Sequence, residues 1–396
     1  MKFVITICML LTATAFNNVY ADNERMSVKT DGGITVSTPD GRFSFDLGGR
    51  LMIDAAFYDE DKNPLGDGTE FRRARLELGG TLFKDWGFDF DVDFSAGRGD
   101  VKEAAIFYKG FKPAKITIGH TIEPFSLEGL TSSKHITFME RALNNVFLSG
   151  RSIGINTQTS GQNWNAAAGI FGESFKADAS NEGNEGWSTT ARFTYAPILS
   201  DTRSMHLGIA GSYRTPNSDK QLRIRARPES HITGMRYVDT GTITNVTHSG
   251  VYGLEVASVF DAFSLQGEYI RTDINRGDEL SEVTFNGWYV YGSWFLTGES
   301  RPYNAKKGSF GRIKPKNKGG AWEFAARYSV LELNDGPITG GQEENITVGI
   351  NWYLNKQTRL LLNYIIVDND QDANAKGDAV GDDDPNILQM RFQVDF

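Results

Sequence analysis

The chain has 396 residues, a formal net charge of −9 and one cysteine, Cys8. A mildly acidic total argues against a general nucleic-acid binder, although it hides local basic clusters. With 43 glycines, 12% aromatics and a negative mean hydropathy, the composition suits either a β-barrel that is apolar on one face or a soluble β-sandwich, and leaves the choice to periodicity.

Residues 1–21 read as a secretory signal peptide: Lys2 is the positive start, Phe3 to Ala15 the apolar stretch, and Val19-Tyr20-Ala21 a cleavage site before Asp22. The apolar stretch is shorter than the ~20 residues of a membrane-crossing helix, and no later segment approaches that length. Removing it takes Cys8 away, so residues 22–396, read as a single domain, have no thiol for a disulfide, a zinc site or a nucleophile. Residues 22–42 are a short leader or a turn-rich addition to the first strand.

From residue 43 onward the chain alternates. Phe43, Phe45, Leu47, Leu51, Ile53 and Phe57 fall on one face, and Ser44, Asp46, Arg50 and Asp54 on the other. A period of two places the sets on opposite sides of a strand. Trp86, Phe88, Phe90, Val92 and Phe94 alternate with Asp89, Asp91 and Asp93; three aspartates in a row are costly in a dry core and suit a wet lumen. Trp322 to Val330 repeats the pattern, and Leu388, Met390, Phe392, Val394 and Phe396 alternate with Gln389, Arg391, Gln393 and Asp395.

Runs of this kind begin near 43, 70, 85, 101, 113, 151, 162, 186, 205, 250, 262, 286, 320, 344, 357 and 386. They predict an all-β protein: a closed transmembrane antiparallel barrel of sixteen strands, with fourteen or eighteen left open. Closure is required because unpaired backbone groups cannot face hydrocarbon. If both termini are periplasmic, the short links near 83, 111, 161, 261 and 355 lie inside and the long ones at 59–69, 122–150, 215–249 and 369–385 outside, with 299–319 a long exception.

The candidate binding residues are basic. Arg50 is on the polar face of the first strand. Arg73, Arg75 and Glu77 share a face of the second, whereas Arg72 has the opposite parity and must sit at a bulge, at the band edge or outside the pore. The bland reading of these arginines is pairing with aspartates of neighbouring strands. The connection 122–150 contains Lys134, His135, Glu140 and Arg141; a loop this long in a tight barrel is often functional, and folded inward it narrows the channel. Arg223, Arg225 and Arg227 stand at i, i+2 and i+4, so an extended segment turns all three guanidiniums one way. Always charged and rich in donors, such groups suit phosphate or carboxylate oxygens; the bland alternative is solvated charge. The basic run Arg301 to Lys318 either draws anions onward at the periplasmic mouth or is a solvated face. The five histidines lack metal-ligand spacing, no phosphate-cradling or nucleophile motif occurs, and the Asp-rich stretch 368–384 reads as an exposed loop before a calcium site.

Phe71-Arg-Arg-Ala-Arg-Leu-Glu-Leu-Gly-Gly-Thr, Thr131-Ser-Ser-Lys134, Arg225-Ala-Arg-Pro-Glu229 and Gly320-Ala-Trp-Glu-Phe-Ala-Ala-Arg-Tyr-Ser329 resemble the phosphate-selective porin O/P family of Gram-negative outer membranes. A terminal Phe after an alternating strand likewise resembles the assembly signal of bacterial outer-membrane barrels. The resemblance implies a homotrimer of sixteen-stranded barrels in outer-membrane lipid, each with an inward third loop. It also implies a central anion site at Arg50, Arg72, Arg73 and Lys134, approached along an arginine ladder at Arg223, Arg225 and Arg227. Arg75 stands where some members carry an aromatic. The expected function is passive, anion-selective diffusion of phosphate or polyphosphate, with no cofactor, metal or catalysis. Within transport the rival is a general or sugar-selective porin; outside it, an outer-membrane hydrolase or a secreted β-sandwich.

Overall fold

The computed structural model describes residues 26–30, 32–174, 184–277 and 279–396; the expected signal peptide, 1–21, lies outside them. Sixteen long strands follow one another: Ser44–Asp59 (β1), Gly68–Leu82 (β2), Trp86–Asp93 (β3), Asp100–Tyr108 (β4), Lys115–Ile122 (β5), Arg151–Ser160 (β6), Trp164–Phe171 (β7) and Trp187–Leu199 (β8), then Arg203–Thr215 (β9), Val246–Phe260 (β10), Phe263–Arg276 (β11), Val283–Phe295 (β12), Ala321–Asp335 (β13), Ile338–Tyr353 (β14), Thr358–Asn369 (β15) and Asn386–Asp395 (β16). Each pairs antiparallel with the next. The last pairs with the first, Asn386 opposite Asp59 and Asp395 opposite Arg50, so the barrel has no edge. Strand count and order agree with the periodicity. The largest discrepancy is β14, which starts at Ile338 rather than near 344, because polar Thr339 to Gln342 continue the ladder beyond the apolar run.

The barrel is apolar outside and polar inside. Phe263, Leu254 and Ile209 are more than half exposed, whereas Arg391, Asn345, Asn351 and Glu343 are buried. A soluble fold would invert this; in lipid the exposed side chains face acyl chains and the ionic ones share the lumen. Aromatic pairs collar the outer surface, including Trp322–Trp352 and Phe263–Trp294 toward the end bearing the termini, and Trp187–Tyr213 toward the other. Such side chains suit the lipid–water boundary, with an apolar ring and a polar tip.

Residues 26–42 are the addition to the first strand: a hairpin, Ser27–Lys29 with Ile34–Ser37, extends the sheet beside the start of β1. The largest apolar cluster lies within the barrel. Phe125, Leu143 and Phe147 of the third long-loop connection (L3, 123–150) and Ile224, Ala226, Tyr237 and Val238 of the fifth (L5, 216–245) pack on Ile270, Phe285 and Leu331 of the inner wall. The long link 296–320 also turns inward: a small hairpin, Tyr303–Asn304 with Ser309–Phe310, packs Phe310 on Leu127 of L3.

Candidate functional site

L3 leaves β5 at Ile122 and begins with a helical turn, Leu127–Leu130, capped by the Ser126 hydroxyl, which accepts from Gly129 N–H at 2.9 Å. A buried backbone needs partners for every N–H and C=O, and the barrel wall supplies them. Glu268 accepts from the N–H groups of Leu127 and Glu128 (3.0 and 2.7 Å), Asn363 from Met139 N–H (2.9 Å) and Ser329 from Leu143 N–H (3.1 Å). Arg359 donates to the Ile136 carbonyl at 2.8 Å and Arg391 to that of Met139 at 2.6 Å. L3 is thus fastened to inward side chains of β11, β13, β15 and β16. Within the loop, Arg141 ties the carbonyls of Glu128, Gly129 and Thr131 together.

The space left between L3 and the opposite wall is a cavity of about 430 Å³, lined by Arg50, Arg73, Arg75 and Glu77, by Asp89 and Asp91, and by Ser132 and Ser133 of L3. Both arginines of the Arg72-Arg73 pair reach the lumen side because β2 bulges there. Met52 of β1 pairs with Arg73 and Ile53 with Phe71, so Arg72 has no opposite number. A bulge puts two residues of one strand against one of its neighbour, and this resolves the parity conflict.

The cations differ in how they are held. Arg50 donates to Glu77 and, at 2.6 Å, to the Ser133 hydroxyl, and Lys134 reaches the same Glu77 at 2.8 Å. Arg72 forks onto Glu140 of L3 at 2.7 and 2.9 Å. Burial alone would raise the Glu140 carboxyl, but the guanidiniums of Arg72 and Arg391 outweigh it and hold the group well below the usual range. Arg75 joins Asp93 at 2.8 Å and Asp91 at 3.2 Å. Arg73 is buried and, among the described residues, donates only to the Met52 sulfur at 3.4 Å and has no carboxylate partner in an ion pair. His135 beside them stays neutral: burial, with Arg312 and Arg359 nearby, takes it down to about 3.

The three arginines of L5 lie apart from this group. Two isolated bridges, Leu222 with Ile243 and Arg225 with Asp239, keep the segment extended. Leu222, Ile224 and Ala226 face the apolar cluster, Arg223 and Arg225 are exposed, and Arg227 is half-buried. Arg223 forks onto Asp239 at 2.7 and 2.5 Å, while Arg225 and Arg227 have no ion pair among the described residues. L5 then reaches the β1–β2 rim, where the Ser230 hydroxyl meets Tyr58 at 2.7 Å and His231 meets Glu70 at 2.8 Å.

Sequence reasoning missed Arg236, whose pKa is lowered by burial and by Arg227 and Arg225 alongside; its position in an unpatterned stretch carried no signal. It also missed Arg391 as an anchor. The alternation put Arg391 on the inner face, but its partners Asp54 and Glu140 lie 337 and 251 residues away.

A closed sixteen-stranded barrel with a lipid-facing apolar exterior and an ionic interior defines an outer-membrane porin. Residues 45–396 match the model of the family described as phosphate-selective porin O and P. The chain is 31% identical to Porin O of Pseudomonas aeruginosa, covering 98% of this chain and 97% of that protein. Among solved structures it is similar to an anion-selective porin from Comamonas acidovorans (TM-score 0.58, 16% identity, 89% of this chain and 100% of that one). It is also similar to the trimer form of OmpT of Vibrio cholerae (TM-score 0.56, 12% identity, 89% and 99%). The chain belongs to the phosphate-selective porin O and P family and resides in the bacterial outer membrane.

Proposed function

We propose that this porin mediates passive, anion-selective diffusion of phosphate or polyphosphate. Arg223, Arg225 and Arg227 draw the solute along L5, and Arg50, Arg72, Arg73 and Lys134 form the central site. The observation that carries the reading is Arg73, a buried guanidinium beside the L3 cavity without a carboxylate of its own. A unit charge pair at about 4 Å gains ~4 kcal/mol at an effective dielectric of 20, enough for a few guanidiniums to offset much of the loss of phosphate hydration. One deep well would trap the ion, whereas successive modest sites let it enter and leave. The phosphate selectivity for which the family is named and the anion selectivity of the Comamonas porin point the same way, and the trimeric OmpT supports a homotrimer here.

Planar-bilayer recording tests this reading. In a chloride gradient the reversal potential should show strong anion preference, and added phosphate should block the chloride current. Replacing Arg223, Arg225 and Arg227 together by alanine should lower anion conductance at low salt; unchanged conductance and phosphate affinity would refute the ladder. A second reading, a general or sugar-selective porin, has its own support: Arg50, Lys134, Arg72 and Arg75 are all paired with carboxylates, an arrangement suited to a transverse field. Weak or cationic preference in the same gradient would favour it.

A further inference from the structure

The cavity beside L3 is lined by as many carboxylates as guanidiniums, five of each, so attraction and repulsion nearly cancel for a bare point anion. The groups are nevertheless sorted along the pore. Register puts Arg50, Arg75 and Asp93 on one rung of β1–β3, Gly48, Glu77 and Asp91 on the next, and Asp46, Gly79 and Asp89 on the one after, toward the end bearing the termini. Successive inward positions on a strand are roughly 7 Å apart. A solute held at the guanidinium rung therefore meets carboxylates as it moves on.

Those carboxylates are not equally occupied. Glu77 is shared by Arg50 and Lys134. Asp91 takes one bond from Arg75 and its other oxygen, Oδ1, has no donor among the described residues. Asp89 is half-buried, lines the cavity, and has no hydrogen-bond donor or ion-pair partner among the described residues. On the opposite side of the guanidinium rung, Arg73 is a buried donor without an acceptor oxygen among the described residues. Unfilled donors followed by unfilled acceptors are complementary to a solute that is both.

We infer that the channel selects among tetrahedral anions by the proton they carry, a deepening that rests on the anion-porin reading above. Hydrogenphosphate and hydrogenarsenate accept from the guanidiniums and from Ser132 and Ser133, and donate their O–H to Asp91 and then Asp89 as they pass. Hydrogen bonds between a hydroxyl and a carboxylate are short and about twice as strong as neutral ones. Sulfate at neutral pH and monofluorophosphate have nearly the same charge and shape but no proton, so they turn lone pairs toward the same carboxylates and are repelled.

The full-length porin in planar bilayers tests this, with chloride current titrated by each anion. Phosphate and arsenate are expected to half-block at concentrations about tenfold below sulfate and monofluorophosphate, and Asp89→Asn with Asp91→Asn, which leaves Arg75 its bond to Asp93, to narrow that gap to about twofold. Equal block by phosphate and monofluorophosphate in the unmodified protein overturns the inference whether or not the double variant assembles. An unchanged gap in an assembled variant overturns the assignment to these two aspartates. Reversal potentials from the same membranes separate the two levels: lack of anion preference sinks the anion-selective reading, while anion preference with equal block sinks only the proton selection.

Discussion

Arg73 and Arg391 are guanidiniums of the same lumen with opposite surroundings. Arg391 is fully buried and forks onto Asp54 at 2.7 Å through both Nε and an NH group, with Glu140 at 2.8 Å. Removing one partner of a buried pair costs roughly 3–5 kcal/mol because the other charge is left uncompensated. Arg391→Leu should therefore lower the denaturant midpoint of the barrel and loosen L3, which Arg391 also holds through the Met139 carbonyl. Arg73 has no such partner, so Arg73→Leu should leave the midpoint unchanged or raise it while phosphate block weakens by an order of magnitude or so. Equal destabilisation by both substitutions would contradict the assignment of Arg73 to solute and Arg391 to structure.

At the level of elements, the bulge in β2 makes an unusual claim. Elsewhere in a strand, deleting one residue turns every following side chain to the other face. Because Arg72 is the extra residue between Phe71 and Arg73, its deletion should restore a regular ladder with the faces intact. The Arg72-deleted protein is expected to reach the outer membrane and show heat-modifiable migration in detergent gels, whereas deletion of Ala74 should abolish assembly. If both deletions fail alike, the bulge is not what places the two arginines. L3 and L5 are elements of another kind. Both borrow hydrogen bonds and apolar contacts from the wall, and neither has a regular period that predicts its path. The triplet at 223–227 was legible because alternation survives there. The pairing of Arg223 with Asp239 was not, since nothing in the spacing of sixteen residues along an irregular loop brings them together.

For the whole molecule, solvent reverses the usual logic of burial. Leu362 is outward on β15, beside Ile350 and Met390. Leu362→Arg puts a charge in hydrocarbon at a cost of about 2–4 kcal/mol near the midplane, and should lower stability in urea titrations of the lipid-inserted barrel. A soluble β-sandwich would tolerate arginine at so exposed a position, so a neutral result would count against the membrane orientation.

The sequence by itself determined the run of strands and their two faces, because period-two alternation is a local property and lipid on one side with water on the other enforces it along every strand; of the counts it allowed, closure in the structure selects sixteen. It also determined which side chains are basic and, from matching stretches, the family. Only the tertiary structure decided which of those charges are already spent. Glu77 beneath Arg50 and Lys134, Glu140 between Arg72 and Arg391, and the lack of an ion pair for Arg73 among the described residues each depend on contacts between segments tens to hundreds of residues apart. Ion pairing depends on distance in space, and only barrel closure with L3 seated inside sets those distances.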